Sequence, residues 1–287
     1  MVLADGVLMD GKKLASKIEE DIIKETKELA IKGIVPSLAV ILVGNDSASQ
    51  TYVTMKAKAC KRVGITSILY EMPTNTSEQD LLQTIDSLNK NDQIDGILVQ
   101  LPLPEHINAS EILDMIAPHK DVDGFHTQNS GKLHSGLKGF VPATPLGVMT
   151  LLRHYNIDIK GKDVCIVGAS NIVGKPLSAL MLNAGATISV CHILTKDLSF
   201  YTKNADIVCV GVGKPNLITK DMIKEGAIVV DIGINRLENG KIVGDVDLEN
   251  LISHCSYITP VPGGVGPMTI ASLLQNTLES AKKRPKR

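Results

Sequence analysis

The sequence has no apolar run of the length a membrane-spanning helix requires. Its opening residues, MVLADGVLMDGKK, set Asp5 and Asp10 where a secretory signal needs an unbroken apolar core after a basic start, so a cytoplasmic protein is expected. Neither sign of charge is in excess: 30 Lys and Arg stand against 31 Asp and Glu, a balance that creates no field able to gather nucleic acid or an anionic membrane. A small-molecule partner is the expectation that remains. Five cysteines (Cys60, Cys165, Cys191, Cys209 and Cys255) stand singly, in odd number and without a CxxC pair, and the seven histidines include no HExxH. No metal site or disulfide framework is expected from that spacing; Cys165 and Cys209 lie inside apolar runs, where a thiol packs as a small hydrophobe. Internal repeats and low-complexity segments are also missing.

What is present is an ordinary globular composition, 44% apolar and 21% charged over 287 residues, a length that suits two domains or one large α/β unit; two are expected. Short β-branched runs alternate with longer amphipathic segments from end to end, the pattern of βα units building a mainly parallel sheet. Strands are predicted at SLAVILVG (37–44), ITSILYEM (65–72) and IDGILVQL (94–101), then at DVCIVG (163–168), TISVCH (187–192), DIVCVGVG (206–213) and AIVVDIG (227–233). Their continuous apolar character implies burial on both faces. Helices are predicted to start near Asp10, Ser47, Ser77 and Asn108, and a last one to follow VPGGVGP, with Pro267 in its first turn. Pro142 and Pro145 in FVPATPLGVMTLL mark the boundary between the halves. The closing KKRPKR is read as a solvated helix end rather than a nuclear address.

Five stretches carry candidate chemistry. In the helix that holds YVTMK, Ser47 to Gln50 form a capping-box pattern, and at about 100° per residue Ala48, Tyr52, Met55, Ala59 and Val63 fall in one stripe with Lys56 at its edge. Lys56 then either lays its methylenes along the core and lifts its ammonium into water, or sits desolvated in a cleft, where its pKa falls and it can exchange protons near neutrality. A YxxxK pair also occurs in short-chain dehydrogenases, after an N-terminal dinucleotide-binding unit; here the only suitable glycine loop follows the pair. That loop, GASNIVGKP (168–176), lies between a strand and a helix, where first-turn amides and the helix dipole suit a phosphate, although Ser170 replaces the second glycine of GxGxxG. The next strand ends in CHILT with no carboxylate to bond a ribose hydroxyl, so a 2′-phosphate is not repelled, and Lys175, Lys196 and His192 are the nearby cations. IDGILVQLPLP ends a strand with Gln100 ahead of Pro102 and Pro104, which stop further pairing at the carboxyl edge where open α/β sheets bind ligands. Asp123 in KDVDGF fits a structural turn as well as a site, and TPVPGGVGPMT either offers bare amides to a ligand or only turns the chain.

Together, in this order and spacing, Tyr52 and Lys56 in YVTMK, QLPLP (100–104), DVDGF (121–125), GASNIVGKP and PGGVGPMT (262–269) resemble the bifunctional methylenetetrahydrofolate dehydrogenase/cyclohydrolase family, from about Asp10 to the final helix. The resemblance implies an α/β protein of two domains. These are an N-terminal folate-binding catalytic domain, 1–143, on which the C-terminal helix 267–287 packs back, and a Rossmann-like NAD(P)-binding domain, 144–266. It implies oxidation of 5,10-methylenetetrahydrofolate with NADP, NAD being the second choice, then hydrolysis of the methenyl product to 10-formyltetrahydrofolate, in one-carbon metabolism and by a homodimer. Lys56, Tyr52, Gln100 and Asp123 are the catalytic residues it implies; Tyr52, Gln100, Asp123, Pro262, Gly263 and Gly264 would bind the folate, and Gly168, Ala169, Ser170, Ile172, Ile193, Thr195 and Ile234 the cofactor. Many members have arginine at Ala169, serine-lysine at Ile193-Leu194 and cysteine at Ala143, so the usual grip on a 2′-phosphate is thinned. The readings set against this one are a short-chain-type nicotinamide oxidoreductase acting on a small carbonyl, and a nucleotide-binding module without catalysis.

Overall fold

A computed structural model describes residues 6–284; Asp5 and the last three residues of the basic tail lie outside them. In chain order the elements are β1 (Val7–Leu8), α1 (Gly11–Ile31), β2 (Ser37–Val43), α2 (Ser47–Val63), β3 (Thr66–Met72), α3 (Glu78–Lys90), β4 (Gly96–Val99), α4 (Ala109–Met115), α5 (Thr127–His134) and α6 (Ala143–His154). They continue with β5 (Asp163–Val167), α7 (Gly174–Asn183), β6 (Thr187–Cys191), α8 (Leu198–Asn204), β7 (Ile207–Val210), β8 (Ile228–Asp231), β9 (Asn235–Arg236), β10 (Ile242–Val243), α9 (Leu248–Leu251), β11 (Tyr257–Ile258) and α10 (Val265–Lys282). The chain divides into two compact units, one of Ser16–Ala143 with Ile270–Arg287, the other of Met1–Ala15 with Thr144–Thr269. The stretch up to Ala15 therefore groups with the later unit, where the sequence had placed it with the earlier one.

In the unit of Ser16–Ala143 a parallel sheet runs in the order β3-β2-β4. Every residue of β2 is buried, because both of its faces are covered. Leu38, Val40 and Leu42 pack with Ile22 and Leu29 of α1, Val53 and Val63 of α2, and Leu273, Leu274 and Leu278 of α10. The alternate residues Ala39, Ile41 and Val43 pack with Leu81, Ile85 and Leu88 of α3 and Ile112 of α4. This is the burial that a continuous apolar strand predicts. β3 departs from it: as an edge strand it is exposed or half-buried along its whole length.

α10 returns to this unit through polar anchors as well as leucines. Asn276 donates from Nδ2 to the carbonyls of Val122 and Val141, at 2.8 and 3.0 Å. Arg284 forms a two-pronged pair with the buried Asp95, Nε to Oδ1 at 2.9 Å and Nη2 to Oδ2 at 2.5 Å, while Asp95 Oδ2 also accepts from the Ser37 amide at the head of β2. Lys282 pairs with Glu25 and Glu279, and Lys283 lies over the Phe140 ring. The reading of this end as solvated holds for Lys282 and Lys283, which stay exposed beside these partners, and is corrected for Arg284, which is half-buried on Asp95; the final three residues lie outside the description.

The other unit holds a parallel sheet in the order β1-β11-β8-β7-β5-β6 and a small antiparallel ribbon of β9 and β10. β7 is wholly buried, whereas β6, at the edge, is largely exposed. All five cysteines are buried and free; burial pushes the Cys209 thiol up to about 12, which suits packing rather than reactivity. No described helix is long and apolar enough to cross a membrane.

Removing Arg284 leaves the Asp95 carboxylate buried without its cation, and losing one partner of such a pair costs about 3 kcal/mol or more. Arg284→Ala is expected to lower unfolding stability by that amount in urea titration; a loss below about 0.5 kcal/mol, the scale of an exposed pair, would show that the guanidinium is not holding α10 down.

Candidate active site

Lys56 lies on α2, which starts at Ser47 as expected but with a different cap. The N-cap is Asp46, not Ser47: its carboxylate accepts from the Ser49 amide at 2.8 Å. A carboxylate both caps the orphan amide and answers the helix dipole, so it displaces the serine. The helix ends at Gly64, in the left-handed region at φ +77, with its amide on the Cys60 carbonyl.

The inward face of α2 is also phased differently from the apolar stripe. Its buried residues are Ser49, Val53, Ala59, Cys60 and Val63, while Tyr52 and Met55 are 37% and 47% exposed. Positions 49, 53, 56, 60 and 63 follow the 4-3-4-3 spacing of one helical face, so Lys56 stands in the middle of the buried stripe rather than at its edge. Ser49 and Cys60 are small and not conspicuously apolar, so hydropathy alone turns the stripe toward Tyr52 and Met55. Lys56 is only half-exposed, and its Nζ donates to Gln100 Oε1 at 3.0 Å.

Gln100 is delivered by the end of β4, its amide still in the ladder through the Ile41 carbonyl at 2.9 Å. Its side-chain amide nitrogen is spent on the neighbouring carbonyl, Nε2 donating to Leu101 O at 2.7 Å, which leaves Oε1 turned toward the lysine. Asp123 follows a bridge between Ile97 and Asp121. The turn is organised by Asp121, not by Asp123: the Asp121 carboxylate accepts from the amides of Phe125 and His126 and from Asn129 Nδ2, at 3.1, 2.9 and 2.8 Å. Gly124 has φ +75, and a Cβ there would lie 2.6 Å from Pro142 N, so this position requires glycine. Asp123 is thereby free of the turn's bonding and acts on Lys56 through its charge.

Burial is the main influence on both groups. It pushes the Lys56 ammonium down from its ordinary value, against an opposing pull from Asp123 and a smaller one assigned to Cys60. The Cys60 thiol is itself pushed up to about 12 by burial, so it is uncharged at neutral pH and Asp123 is the partner that counts. Burial raises the Asp123 carboxyl to about 6, with Lys56 drawing it down and Asp121 pushing it up. An amine pushed down and a carboxyl pushed up by burial, each acting on the other through its charge, are the kind of pair that gathers at functional sites.

In the other unit, Gly168 ends β5 with φ +117; a Cβ on it would lie 2.6 Å from the Gly211 carbonyl, and a Cβ on Gly174 would lie 1.8 Å from the Gly168 carbonyl. Gly174 is thus the second glycine of this strand-turn-helix, a role its distance from Gly168 hid in the sequence. Ser170 Oγ accepts from the Val173 amide at 3.1 Å, and α7 starts with no side-chain cap on Val173. A glycine turn into a helix end without a side-chain cap suits a pyrophosphate, so these residues fit a dinucleotide. Ala169 is half-buried and Ile172 exposed in the same turn; Ile193, after β6, is 98% exposed; Ile234, after β8, is exposed. Thr195 shapes its own turn, Oγ1 accepting from the His192 amide at 2.9 Å, and Lys175 donates to Asn171 Oδ1 at 2.7 Å. Pro262, Gly263 and Gly264 precede α10, with the Gly263 carbonyl accepting from the Lys12 amide at 2.9 Å and Gly264 buried. Among the described residues no cluster of side chains has the makings of a metal site.

Two family models match the chain: tetrahydrofolate dehydrogenase/cyclohydrolase, catalytic domain, over residues 9–123, and its NAD(P)-binding domain over residues 142–285. The bifunctional protein FolD of Wolinella succinogenes is 64% identical over 278 residues, spanning 96% of this chain and 97% of that protein. The crystal structure of the bifunctional enzyme FolD, methylenetetrahydrofolate dehydrogenase/cyclohydrolase, from Campylobacter jejuni superposes with a TM-score of 0.96 at 59% identity, covering 97% of this chain and 99% of the other. The Trypanosoma brucei enzyme, complexed with NADP cofactor and inhibitor, gives a TM-score of 0.94 at 36% identity, over 98% and 99% of the two chains.

The raised Asp123 pKa has a consequence for stability. The folded state holds this proton more tightly than the unfolded chain, whose carboxyl has the ordinary value of 3.8, so the contribution of Asp123 to stability is greatest below that value and is lost as pH rises through about 6. Asp123→Asn cannot titrate and escapes the decline. The variant is expected to match the wild type near pH 3.8 and to exceed it by about 3 kcal/mol at pH 8, measured by urea unfolding at both; an advantage independent of pH would contradict the assignment.

Proposed function

The chain belongs to the tetrahydrofolate dehydrogenase/cyclohydrolase family, and from that premise we infer how its own residues carry the two reactions. The protein oxidises 5,10-methylenetetrahydrofolate to the 5,10-methenyl cation, with NADP accepting the hydride, and hydrolyses the cation to 10-formyltetrahydrofolate. The observation that carries the reading is the Lys56 amine, drawn into the buried face of α2 and bonded to a neutral acceptor, Gln100.

The first reaction needs orientation more than acid or base, because the positive charge left by hydride loss is delocalised over the folate nitrogens. We assign that orientation to Tyr52, half-exposed on α2 and able to stack on the folate, to Asp123 as the partner of the pterin, and to Pro262, Gly263 and Gly264. When bound, NADP supplies the hydride acceptor. Gly168, Ala169 and Ser170 would hold its pyrophosphate, with Ile172, Ile193, Thr195 and Ile234 as further contacts. The second reaction needs a proton shuttle. Water adds to the methenyl carbon and gives up a proton to the neutral Lys56 amine; the ammonium then returns a proton to the ring nitrogen whose bond to that carbon breaks, while the added hydroxyl loses its remaining proton and becomes the formyl carbonyl. The net result is one water consumed and one proton released. Gln100 keeps the amine aimed through both transfers without adding a charge that would fix it as ammonium. A positively charged intermediate nearby lowers the amine pKa further. A homodimer in the cytoplasm with no nucleic acid or membrane partner belongs to the same reading, and the balance of charges supports its last part.

The reading is tested by absorbance: NADP reduction that depends on added methylenetetrahydrofolate is expected, and its absence would overturn the reading. In Lys56→Met the hydrolysis of supplied methenyltetrahydrofolate is expected to fall by about 10²–10⁴-fold, the usual contribution of a general acid-base group, with hydride transfer reduced less. Unimpaired conversion of methenyl to formyl folate in that variant would remove Lys56 from the mechanism.

A further inference from the structure

Two carboxylates that the reactions above do not use are buried in the unit of Thr144–Thr269. Asp245, just past β10, is fully buried. Its Oδ2 accepts from the backbone amides of Val212 and Gly213, at 2.6 and 3.0 Å, and its Oδ1 from the Lys214 amide and Asn235 Nδ2, both at 2.8 Å. Three consecutive amides of the loop after β7 therefore converge on one carboxylate, an anion-binding nest filled from inside the protein. Asp245 is in turn set by Asp231 at the end of β8, whose Oδ1 accepts from the amides of Asp245 and Gly233, at 3.0 and 2.9 Å, and whose Oδ2 accepts from Val246 at 2.9 Å. The fit leaves no slack: a Cβ on Gly233 would lie 2.3 Å from Asp245 Cγ, and one on Gly244 would lie 1.8 Å from Asp231 Oδ2.

We propose that Asp245 is a positioning residue for the dinucleotide, fixing the 211–214 loop and Asn235 at the carboxyl edge of β7 and β8; this rests on the cofactor reading given above. That edge is where open parallel sheets take their ligands, and the Gly211 carbonyl lies against Gly168 of the glycine turn. Val212 and Ile234 are both exposed on the two pinned loops, so the carboxylate holds apolar side chains out on a rigid backbone, ready for the flat face of a nicotinamide or adenine ring. Burying two carboxylates next to each other without a cation is unfavourable. A turn with only a structural duty has no use for that arrangement, and such exceptions gather at functional sites. Asp245 itself is covered by the loop it holds and makes no contact with the cofactor in this scheme.

The enzyme carries its own control, because hydrolysis of supplied methenyltetrahydrofolate consumes no nicotinamide. In Asp245→Asn, which turns one acceptor oxygen into a donor facing amides, the dissociation constant for NADPH by titration calorimetry is expected to rise about tenfold or more. Asn235→Ala, which removes one of the four donors, should raise it about threefold, both on the scale of lost hydrogen bonds to a charged group. KM for NADP should rise with little change in kcat, and the hydrolysis rate should stay within about twofold of wild type. An unchanged dissociation constant in either folded variant would overturn the proposal, and so would hydrolysis and NADPH binding falling in parallel, the mark of a purely structural role. Should Asp245→Asn not fold, Asn235→Ala decides alone. Wild-type protein that bound no NADPH would overturn the cofactor reading and the proposal with it.

Discussion

The proposed chemistry of this protein depends on keeping one amine, that of Lys56, partly out of water. Burial disfavours the ammonium form, and a carboxylate partner would reverse that effect by stabilising the charge. The structure instead meets Lys56 with the amide oxygen of Gln100 at 3.0 Å, an acceptor that directs the nitrogen without supplying a negative charge. The carboxyl that does act on it, Asp123, is itself raised to about 6 by burial, so it holds its charge less readily than an exposed carboxyl would. A glutamate at position 100 would tip the amine toward a permanent ammonium, which can donate a proton but cannot accept one.

Each element of the fold near Lys56 can be read as a support for that arrangement. β2 is covered on both faces, which gives α2 an apolar surface against which to press its 49-53-56-60-63 face. β4 ends in register with β2, so that Gln100 emerges still hydrogen-bonded to Ile41. Asn276 of α10 grips the carbonyls of Val122 and Val141 on either side of the Asp123 turn, and the Arg284–Asp95 pair fastens the end of the same helix. The carboxyl opposite the amine is therefore placed by a helix more than a hundred residues further along the chain.

Much of this was legible beforehand, for reasons that are physical. The long buried strands and the helix starts at Ser77 and Asn108 announce themselves by apolar runs and capping side chains. The five motifs that carry the family resemblance are local in sequence, so they survive without knowledge of packing. What escaped detection was short or depended on distant partners. β1, β9, β10 and β11 are two residues each, too short for any periodicity. The inward face of α2 was rotated because Ser49 and Cys60 are buried without being conspicuously apolar. Asp231, inside a predicted strand, and Asp245, in no predicted element, show no sign of a site until their amide partners, from Val212 to Val246, are brought together. Arg284 looked like part of a basic tail because its partner, Asp95, lies 189 positions earlier.

The central claim concerns the protonation of a single nitrogen, and it can be observed directly. Selective carbon-13 labelling of the lysine ε-carbons, with the Lys56 resonance assigned by its loss in a Lys56 variant, allows that amine to be titrated by NMR in the intact protein. A midpoint displaced below the ordinary 10.5 is the predicted result. A midpoint at or above that value would mean that the ammonium is solvated or paired, and the proposed proton relay would be contradicted.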